Sequence, residues 1–216
     1  MRIVVVASGT LMPGDDACLE GADVVIAADG GAAALDRLGL RPDRLVGDLD
    51  SADPALVGRL EESGARVDRH PIDKEASDTE LAVRAAVDEG AERIDLLGAT
   101  GGLRLDHELA NLLLLADQAF AGVELQAIVG GTTVRAVHGG QQLALRGDPG
   151  DLVTLLPIGG DAGGVGATGL RWPLDSATLA MGGSRGLSNV VVGAGASVRL
   201  GSGVLLVVET ALTGEM

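Results

Sequence analysis

Two aspartates one residue apart follow a short apolar run in R-L-V-G-D-L-D-S, residues 44–51. In an extended strand, side chains at positions i and i+2 point to the same side. An extended segment would therefore place the carboxylates of Asp48 and Asp50 together, beyond the end of a buried strand. Paired carboxylate oxygens suit a Mg²⁺ ion that carries substrate phosphates. The D-x-D pattern is also typical of a solvated loop, so a metal site depends on the neighbouring residues.

Two other segments combine acidic residues with a predicted helix start. Asp29 ends the apolar run 24–28 and precedes Gly30, Gly31 and an alanine-rich helix over 32–38. The backbone N–H groups of such a loop can receive an anion, although a tight strand-to-helix turn explains the same pattern. Residues 77–80 read S-x-x-E, a capping box that predicts a helix starting beside Asp78. Capping of the helix by Ser77 does not exclude a functional role, because the same helix start could also lie above a metal–phosphate site.

A glycine-rich loop follows the apolar run 94–97 and reads G-A-T-G-G-L-R-L-D-H. Its Arg104 carries the planar guanidinium that binds phosphate oxygens well. His107 beside Asp106 could do acid–base work or only serve the start of a helix. The pattern predicts a helix from Asp106 to about Phe120 whose apolar side chains are buried, namely Leu109, Leu112, Leu113 and Ala116.

The elements that must position these residues alternate between strand and helix up to residue 130. This alternation predicts an α/β domain over residues 1–130 with a mostly parallel sheet. Ligands of such sheets bind beyond the carboxyl ends of the strands. Asp29, the Asp48/Asp50 pair and the loop 98–102 all follow predicted strands, so we expect them to share one edge of the sheet.

The remaining residues, 131–216, carry short β-type runs separated by Gly, Asp and Pro, at 133–137, 142–145, 152–157 and 204–209. They predict a second, all-β domain, a small sandwich. Within it, residues 169–174 place apolar side chains at even positions, so the pattern alone predicts a core position for Trp172. Residues 186–189 predict a turn whose polar side chains could meet a ligand.

Composition excludes several classes of protein. The 216 residues are 46% hydrophobic, as in globular proteins, and carry a net charge of −15 without basic clusters, which argues against nucleic-acid and membrane partners. Cys18 is the only cysteine, so an internal disulfide is excluded and a cytoplasmic location is expected. No apolar stretch is long enough for a bilayer, and residues 3–7 are expected to form a first strand rather than a secretory signal.

Taken in order, these segments resemble the thiamine pyrophosphokinase (thiamine diphosphokinase) family. The matching segments span most of the chain: A-D-G-G at 28–31, P-D-R-L-V-G-D-L-D-S at 42–51, D-K-E-A-S-D at 73–78, G-A-T-G-G-L-R-L-D-H-E-L-A-N at 98–111, G-L-R-W-P-L at 169–174 and G-L-S-N at 186–189. Each segment is weak alone, and the ordered set is specific.

The resemblance implies a Rossmann-like α/β/α catalytic domain, a C-terminal β-sandwich that binds thiamine, and a homodimer with active sites between subunits. The implied reaction transfers pyrophosphate from ATP to thiamine, giving thiamine diphosphate and AMP. Asp48, Asp50 and Asp78 would hold Mg²⁺, and Asp29 would act with them. The implied nucleotide contacts are Gly30, Gly31, Lys74, Ser77, Gly101, Gly102, Arg104 and Asp106. Trp172 would stack on thiamine, with Ser188 and Asn189 beside it.

Two residues depart from the family's usual D-K-D-x-T-D segment. Glu75 replaces the middle aspartate and Ser77 replaces threonine, which keeps the charge and the hydroxyl but leaves the role of Glu75 open. Two alternatives also stay open: a pyrophosphokinase for another heterocyclic alcohol such as a hydroxymethylpterin, and a non-catalytic regulator that binds nucleotide or thiamine. The segment around Trp172 favours thiamine, and the full set of carboxylates favours an enzyme.

Overall fold

A parallel sheet of six strands organises the first part of the chain in the computed structural model, which describes residues 1–50 and 52–212. The strands are β1 (Arg2–Val6), β2 (Val24–Ala28), β3 (Arg44–Gly47), β4 (Arg66–Arg69), β5 (Arg93–Leu97) and β6 (Glu124–Val129). Their order is β4-β3-β2-β1-β5-β6, and every neighbouring pair is parallel. Because β2 and β5 flank β1, the strand order reverses there, which makes β1 and β5 the switch point where such sheets bind ligands.

Four α-helices connect these strands within the described residues. They are α1 (Gly31–Arg37), α2 (Pro54–Glu62), α3 (Asp78–Asp88) and α4 (Leu105–Leu114), with 3-10 turns at Asp15–Leu19 and Gln118–Phe120. The N-cap role of Ser77 in the predicted capping box is confirmed, because its hydroxyl accepts a hydrogen bond from the Glu80 backbone N–H at 3.2 Å. Helix α3 packs against β1, β2 and β3 and thereby places Asp78 at the carboxyl edge of the sheet.

The prediction for α4 was wrong in length and in burial. The helix ends at Leu114, and Leu109 and Leu113 are 52% and 53% exposed. Within α4 only Asn111 is buried, and its amide donates to the Ala99 carbonyl at 3.0 Å. The i, i+4 spacing does place Leu109 and Leu113 on one face of the helix, but that face is exposed. The pattern of apolar residues does not reveal that the buried position of this helix is Asn111, which bonds the loop after β5.

The second unit, Gly131–Met216, is antiparallel throughout its described strands. These are β7 (Thr132–His138), β8 (Gln142–Ala144), β9 (Leu152–Thr168), β10 (Leu174–Leu179), β11 (Asn189–Val190), β12 (Ser197–Arg199) and β13 (Ser202–Thr210). The first unit spans Met1–Gly130. Together the described residues form a mixed α/β protein in which no helix is long and apolar enough to cross a membrane.

Strand β9 is much longer than the run that predicted it, because glycines let it bend instead of ending it. Its first part pairs with β13, and its second part pairs with β10 and β12. Gly159 sits near the bend with φ +71°, a left-handed conformation that favours glycine. Val153, Leu155, Val165 and Leu205 belong to the buried core of this unit.

Candidate active site

A cleft of about 420 Å³ opens at the carboxyl ends of β1, β2, β3 and β5. We call it the carboxylate cleft, after Asp29, Asp48 and Asp78, which line it. Two of its loops are joined, because Gly9 donates to the Gly98 carbonyl at 2.9 Å and Thr10 to the Thr100 carbonyl at 2.8 Å. A Cβ at Gly9 would lie 2.2 Å from the Thr100 carbonyl oxygen, so this joint needs glycine.

Three carboxylates converge beside this cleft. Asp29, Asp48 and Asp50 each offer an oxygen, and these oxygens lie within 4.8 Å of one another. The reason predicted for the pairing of Asp48 with Asp50 was wrong, since the segment is not extended: Leu49 has φ +60°. This left-handed residue makes a tight turn in which the Asp50 N–H donates to Asp48 Oδ1 at 3.3 Å. Non-glycine residues rarely adopt this conformation, and the strain is typical of functional sites.

Lys74 connects the cluster to Asp78. Its ammonium lies 2.5 Å from Asp48 Oδ2 and 3.0 Å from Asp78 Oδ1, and all three side chains are largely buried. The hydrogen bond from Lys74 lowers the pKa of Asp48 below its ordinary value. Burial alone would lower the pKa of Lys74, but the hydrogen bonds to Asp48 and Asp78 outweigh it and raise that pKa. Asp78 therefore joins the three carboxylates through a lysine.

The two glycines after Asp29 occupy different positions. A Cβ at Gly31 would lie 2.0 Å from the Val6 carbonyl oxygen, so Gly31 lets α1 approach β1 closely. Gly30 faces Ser8, whose hydroxyl would lie 3.1 Å from its Cβ. Neither glycine lines the carboxylate cleft, and their proposed contact with nucleotide stays a prediction.

Arg104 and Asp106 form a bidentate ion pair at the start of α4. The guanidinium donates to both carboxylate oxygens of Asp106, at 2.9 and 2.6 Å. These hydrogen bonds lower the pKa of Asp106 to about 2. Arg104 lines the carboxylate cleft together with Lys74, Ser77 and Gly102, whereas Gly101 lines a neighbouring cavity beside Thr10. Asp106 thus holds the orientation of the arginine at the mouth of the cleft.

Sequence reasoning did not single out Ser8 and Asn111, which also line the cleft. Ser8 follows the buried strand β1 and its hydroxyl donates to the Ala28 carbonyl at 3.3 Å. Asn111 lies one helical turn after His107, another lining residue, so both side chains share one face of α4. The signals that could have found them are a polar residue at a strand end and the i, i+4 spacing.

The second unit has its own cleft of about 460 Å³, which we call the Trp172 cleft; Trp172, Leu155, Arg185, Leu187 and Asn189 belong to its lining. The core position that the alternating pattern predicted for Trp172 was wrong, because its side chain is 57% exposed. Residues 171–173 form a bend between β9 and β10, so strand alternation does not apply there. The Arg171 guanidinium lies over the indole, 5.7 Å from the ring centroid.

Ser188 and Asn189 lie on the segment that borders Trp172. Ser188 has φ +54°, and its N–H donates to the Thr154 hydroxyl at 2.9 Å. The Asn189 amide is buried, and it bonds the backbone of Trp172 on both sides: Trp172 N–H to Oδ1 at 3.0 Å and Nδ2 to the Trp172 carbonyl at 2.7 Å.

Comparison with known proteins accounts for both units. Residues 16–127 match the family described as "Thiamin pyrophosphokinase, catalytic domain", and residues 141–205 match "Thiamin pyrophosphokinase, vitamin B1 binding domain". The thiamine pyrophosphokinase of Bacillus subtilis (strain 168) is 23% identical over 185 residues, covering 86% of each chain. Thiamine pyrophosphokinase 1 of Oryza sativa subsp. japonica is 28% identical over 164 residues, covering 72% of this chain and 61% of that protein.

Solved structures agree on the fold. Thiamine pyrophosphokinase from B. subtilis superposes with a TM-score of 0.86 at 23% identity, covering 98% of this chain and 100% of that one. The enzyme from Geobacillus thermodenitrificans gives a TM-score of 0.82 at 26% identity over the whole of both chains. Thiamin pyrophosphokinase from Candida albicans gives 0.81 at 16% identity, covering 97% of this chain and 88% of that one. The chain belongs to the thiamin pyrophosphokinase family.

Proposed function

We propose that this chain transfers pyrophosphate from ATP to the hydroxyl of thiamine, giving thiamine diphosphate and AMP. The observation that carries the proposal is the convergence of Asp29, Asp48 and Asp50 at the carboxyl ends of β2 and β3, in a chain whose two units both match the family. The two units correspond to a Rossmann-like catalytic domain and a thiamine-binding β-sandwich in this proposal.

The carboxylate cleft fits a magnesium ion. Asp48, Asp50 and Asp78 are proposed as its ligands, with Asp29 in the same cluster. The donor set supports this, because it consists of hard carboxylate oxygens in excess over the single ammonium of Lys74. A bound Mg²⁺ would neutralise charge on the phosphate oxygens of ATP.

The reaction is a displacement at the β-phosphorus of ATP. The thiamine hydroxyl oxygen forms a bond to this phosphorus, and the bond from the phosphorus to the oxygen bridging the α-phosphate breaks, so that AMP leaves. Such transfers depend on positioning and charge stabilisation. A carboxylate of the cluster accepts the hydroxyl proton. Lys74 and Arg104 are proposed to face the phosphates, with Gly30, Gly31, Ser77, Gly101 and Gly102 around the nucleotide.

The Trp172 cleft is proposed to bind thiamine. An exposed indole can stack on the cationic thiazolium, which is worth about 0.5–2 kcal/mol. Ser188 is a proposed substrate contact, and Asn189 borders the same cleft. A net charge of −15 on the chain suits a cationic substrate.

A homodimer with active sites between subunits belongs to the same proposal, as does a cytoplasmic location. Large apolar side chains exposed in both units support the dimer, because a second copy could cover them. They include Leu105, Leu109, Leu113, Trp172 and Leu187. Sedimentation of the purified protein should give twice the monomer mass, and a monomer at working concentration would contradict the dimer.

The decisive experiment identifies the nucleotide product. Purified protein with ATP, Mg²⁺ and thiamine should form AMP and thiamine diphosphate in equal amounts, and Asp48→Asn should abolish both. The matched control is Asp88→Asn, an exposed aspartate at the other end of α3, which should keep full activity. Formation of ADP, or preference for a hydroxymethylpterin over thiamine, would overturn the proposal.

A further inference from the structure

The side-chain amide of Asn189 uses three hydrogen bonds to hold two backbone segments. Its Oδ1 accepts from the N–H of Trp172 at 3.0 Å and from that of Val190 at 2.9 Å, and its Nδ2 donates to the Trp172 carbonyl at 2.7 Å. An asparagine amide can make four such bonds at most. Only one N–H of the amide therefore remains for any ligand, and Asn189 as a whole residue is only 8% exposed.

Trp172 lies where regular strand pairing stops. Two backbone hydrogen bonds, Val192 N–H to the Gly169 carbonyl and Arg171 N–H to the Val190 carbonyl, both at 2.8 Å, join the segments before it. The next position is Trp172, opposite Asn189. The backbone of Asn189 pairs with Val153 of β9 on its other side. The backbone N–H and carbonyl of Trp172 are therefore bonded by the side chain of Asn189 and not by a strand backbone.

We infer that Asn189 is a positioning residue, which fixes the backbone of Trp172 so that the exposed indole stands ready to stack on the substrate ring. This inference rests on the proposed function, and it replaces the direct substrate contact that the resemblance implies for Asn189. Because the backbone N–H and carbonyl of Trp172 are both bonded to one amide, the indole can move only by rotation about its two side-chain torsion angles.

The chemistry of this joint requires an amide. The Trp172 carbonyl needs a donor, while the N–H groups of Trp172 and Val190 need an acceptor, and asparagine offers both at this reach. Aspartate has the same shape but presents an oxygen to the carbonyl, so the bond at 2.7 Å becomes a repulsion. A buried polar group that loses its partner destabilises its surroundings.

The sequence itself supplies the probe for this inference. Trp172 is the single tryptophan and the chain has no tyrosine, so tryptophan emission reports on this ring alone. In Asn189→Asp, we expect the fluorescence anisotropy of Trp172 to fall and collisional quenching by acrylamide to increase. The matched control is Gln142→Glu, which also turns an amide into a carboxylate in this unit and removes one amide donor, the one bonded to the Ser197 hydroxyl. It should leave both signals unchanged.

Kinetics separate positioning from contact. Asn189→Asp should raise the KM for thiamine about tenfold, the loss of one good aromatic contact, and leave the KM for ATP unchanged. In a Trp172→Ala background the same substitution should have no further effect, because Asn189 acts only through the indole. Costs that add in the double variant would show a direct contact with thiamine and overturn the inference, as would wild-type anisotropy in Asn189→Asp.

Two provisions keep the result decisive. If Asn189→Asp does not fold, Asn189→Ser keeps a small polar group and should show the same changes in smaller measure. If the wild-type protein forms no AMP, the proposed function fails by itself. Quenching of Trp172 by added thiamine then still measures binding in the wild-type protein and in the Asn189 variants, which keep the tryptophan, and equal affinities would overturn the role of Asn189.

Discussion

The two clefts of this protein are built by different means. The carboxylate cleft collects charged side chains from the loops and helix starts that follow parallel strands, and ion pairs of Lys74 link Asp48 to Asp78. The Trp172 cleft depends on one irregular bend, which a single side-chain amide joins to the neighbouring segment. A parallel sheet brings distant strand ends to one edge by its regular geometry. An antiparallel unit has no such common edge, so a binding site there must be held by local hydrogen bonds such as those of Asn189.

The division of chemistry follows from this difference. Charged side chains that act together on phosphates must keep fixed distances from one another. A sheet edge keeps these distances, because buried strands such as β1 resist displacement. An aromatic ring that selects a substrate by stacking needs exposure, and exposure is possible on a bend. The predictions below test this separation, beginning with the largest effect.

The largest effect is expected from Asp29→Asn in the carboxylate cleft. The substitution removes one of three converging carboxylates, so kcat should fall by at least about 100-fold, the usual scale for loss of a preorganised electrostatic group. The KM for thiamine should stay within about twofold of wild type, because thiamine is proposed to bind at the other cleft. Steady-state assay of AMP formation measures both constants, and a rise in thiamine KM with unchanged kcat would break the comparison.

Close backbone contacts give the next largest effects, one in each unit. A Cβ at Gly31 would lie 2.0 Å from the Val6 carbonyl oxygen, and one at Gly186 would lie 2.1 Å from that of Leu155. Alanine at either position should lower the free energy of unfolding by about 1–3 kcal/mol through overpacking. Helical circular dichroism follows the first unit and Trp172 fluorescence follows the second, because the described α-helices lie only in the first.

Gly58→Ala is the matched control for these two substitutions. Gly58 lies inside α2, and a Cβ there meets no atom within 4 Å. Alanine should therefore raise the free energy of unfolding by about 0.5–1 kcal/mol, since glycine is costly in a helix interior. Wild-type stability of Gly31→Ala or Gly186→Ala in chemical denaturation would refute the tight backbone approach at that glycine.

Trp172→Ala tests substrate selection alone. Loss of the indole should raise the KM for thiamine about tenfold, because stacking on a cation and burial of the ring are both lost. The KM for ATP should not change, and Trp172→Phe should recover part of the thiamine affinity. An equal rise in both KM values would mean that the two clefts do not act separately.

The smallest effect is expected at Arg171. Its guanidinium lies 5.7 Å from the centroid of the indole, where it occupies a ring face and repels a cationic substrate. Arg171→Met should lower the KM for thiamine by about twofold to fivefold, the scale of an exposed cation–π contact. Arg199→Met, an exposed arginine of β12, should leave the KM unchanged. A rise in KM for Arg171→Met would show instead that this arginine supports the ring.

Elements set by local signals could be predicted from the sequence. Strand β2 has the predicted bounds, because a continuous apolar run between turn residues leaves little choice. The start of α3 followed from the hydrogen-bonding capacity of Ser77. The placement of Asp29, Asp48 and the loop after β5 at strand ends also followed, since an α/β alternation dictates a parallel sheet.

Predictions failed where distant contacts outweighed a local pattern. Leu109 and Leu113 of α4 share one face as expected, but that face is exposed, and the buried position is Asn111, which bonds the Ala99 carbonyl. Alternation placed Trp172 in the core, but the chain leaves the strand at Thr168. Asp48 and Asp50 do meet, through the left-handed Leu49 and not through an extended strand.

The sequence by itself determined the alternation of strands and helices in the first unit, the cap of α3, and the residue types available for metal and phosphate chemistry, because these depend on near neighbours. Only the tertiary structure decided that Lys74 links Asp48 to Asp78 and that Asn189 holds Trp172. Both depend on atoms from distant segments, 26 positions apart for Lys74 and Asp48 and 17 for Asn189 and Trp172. Such hydrogen bonds form only after packing has brought the segments together, and no local pattern encodes them.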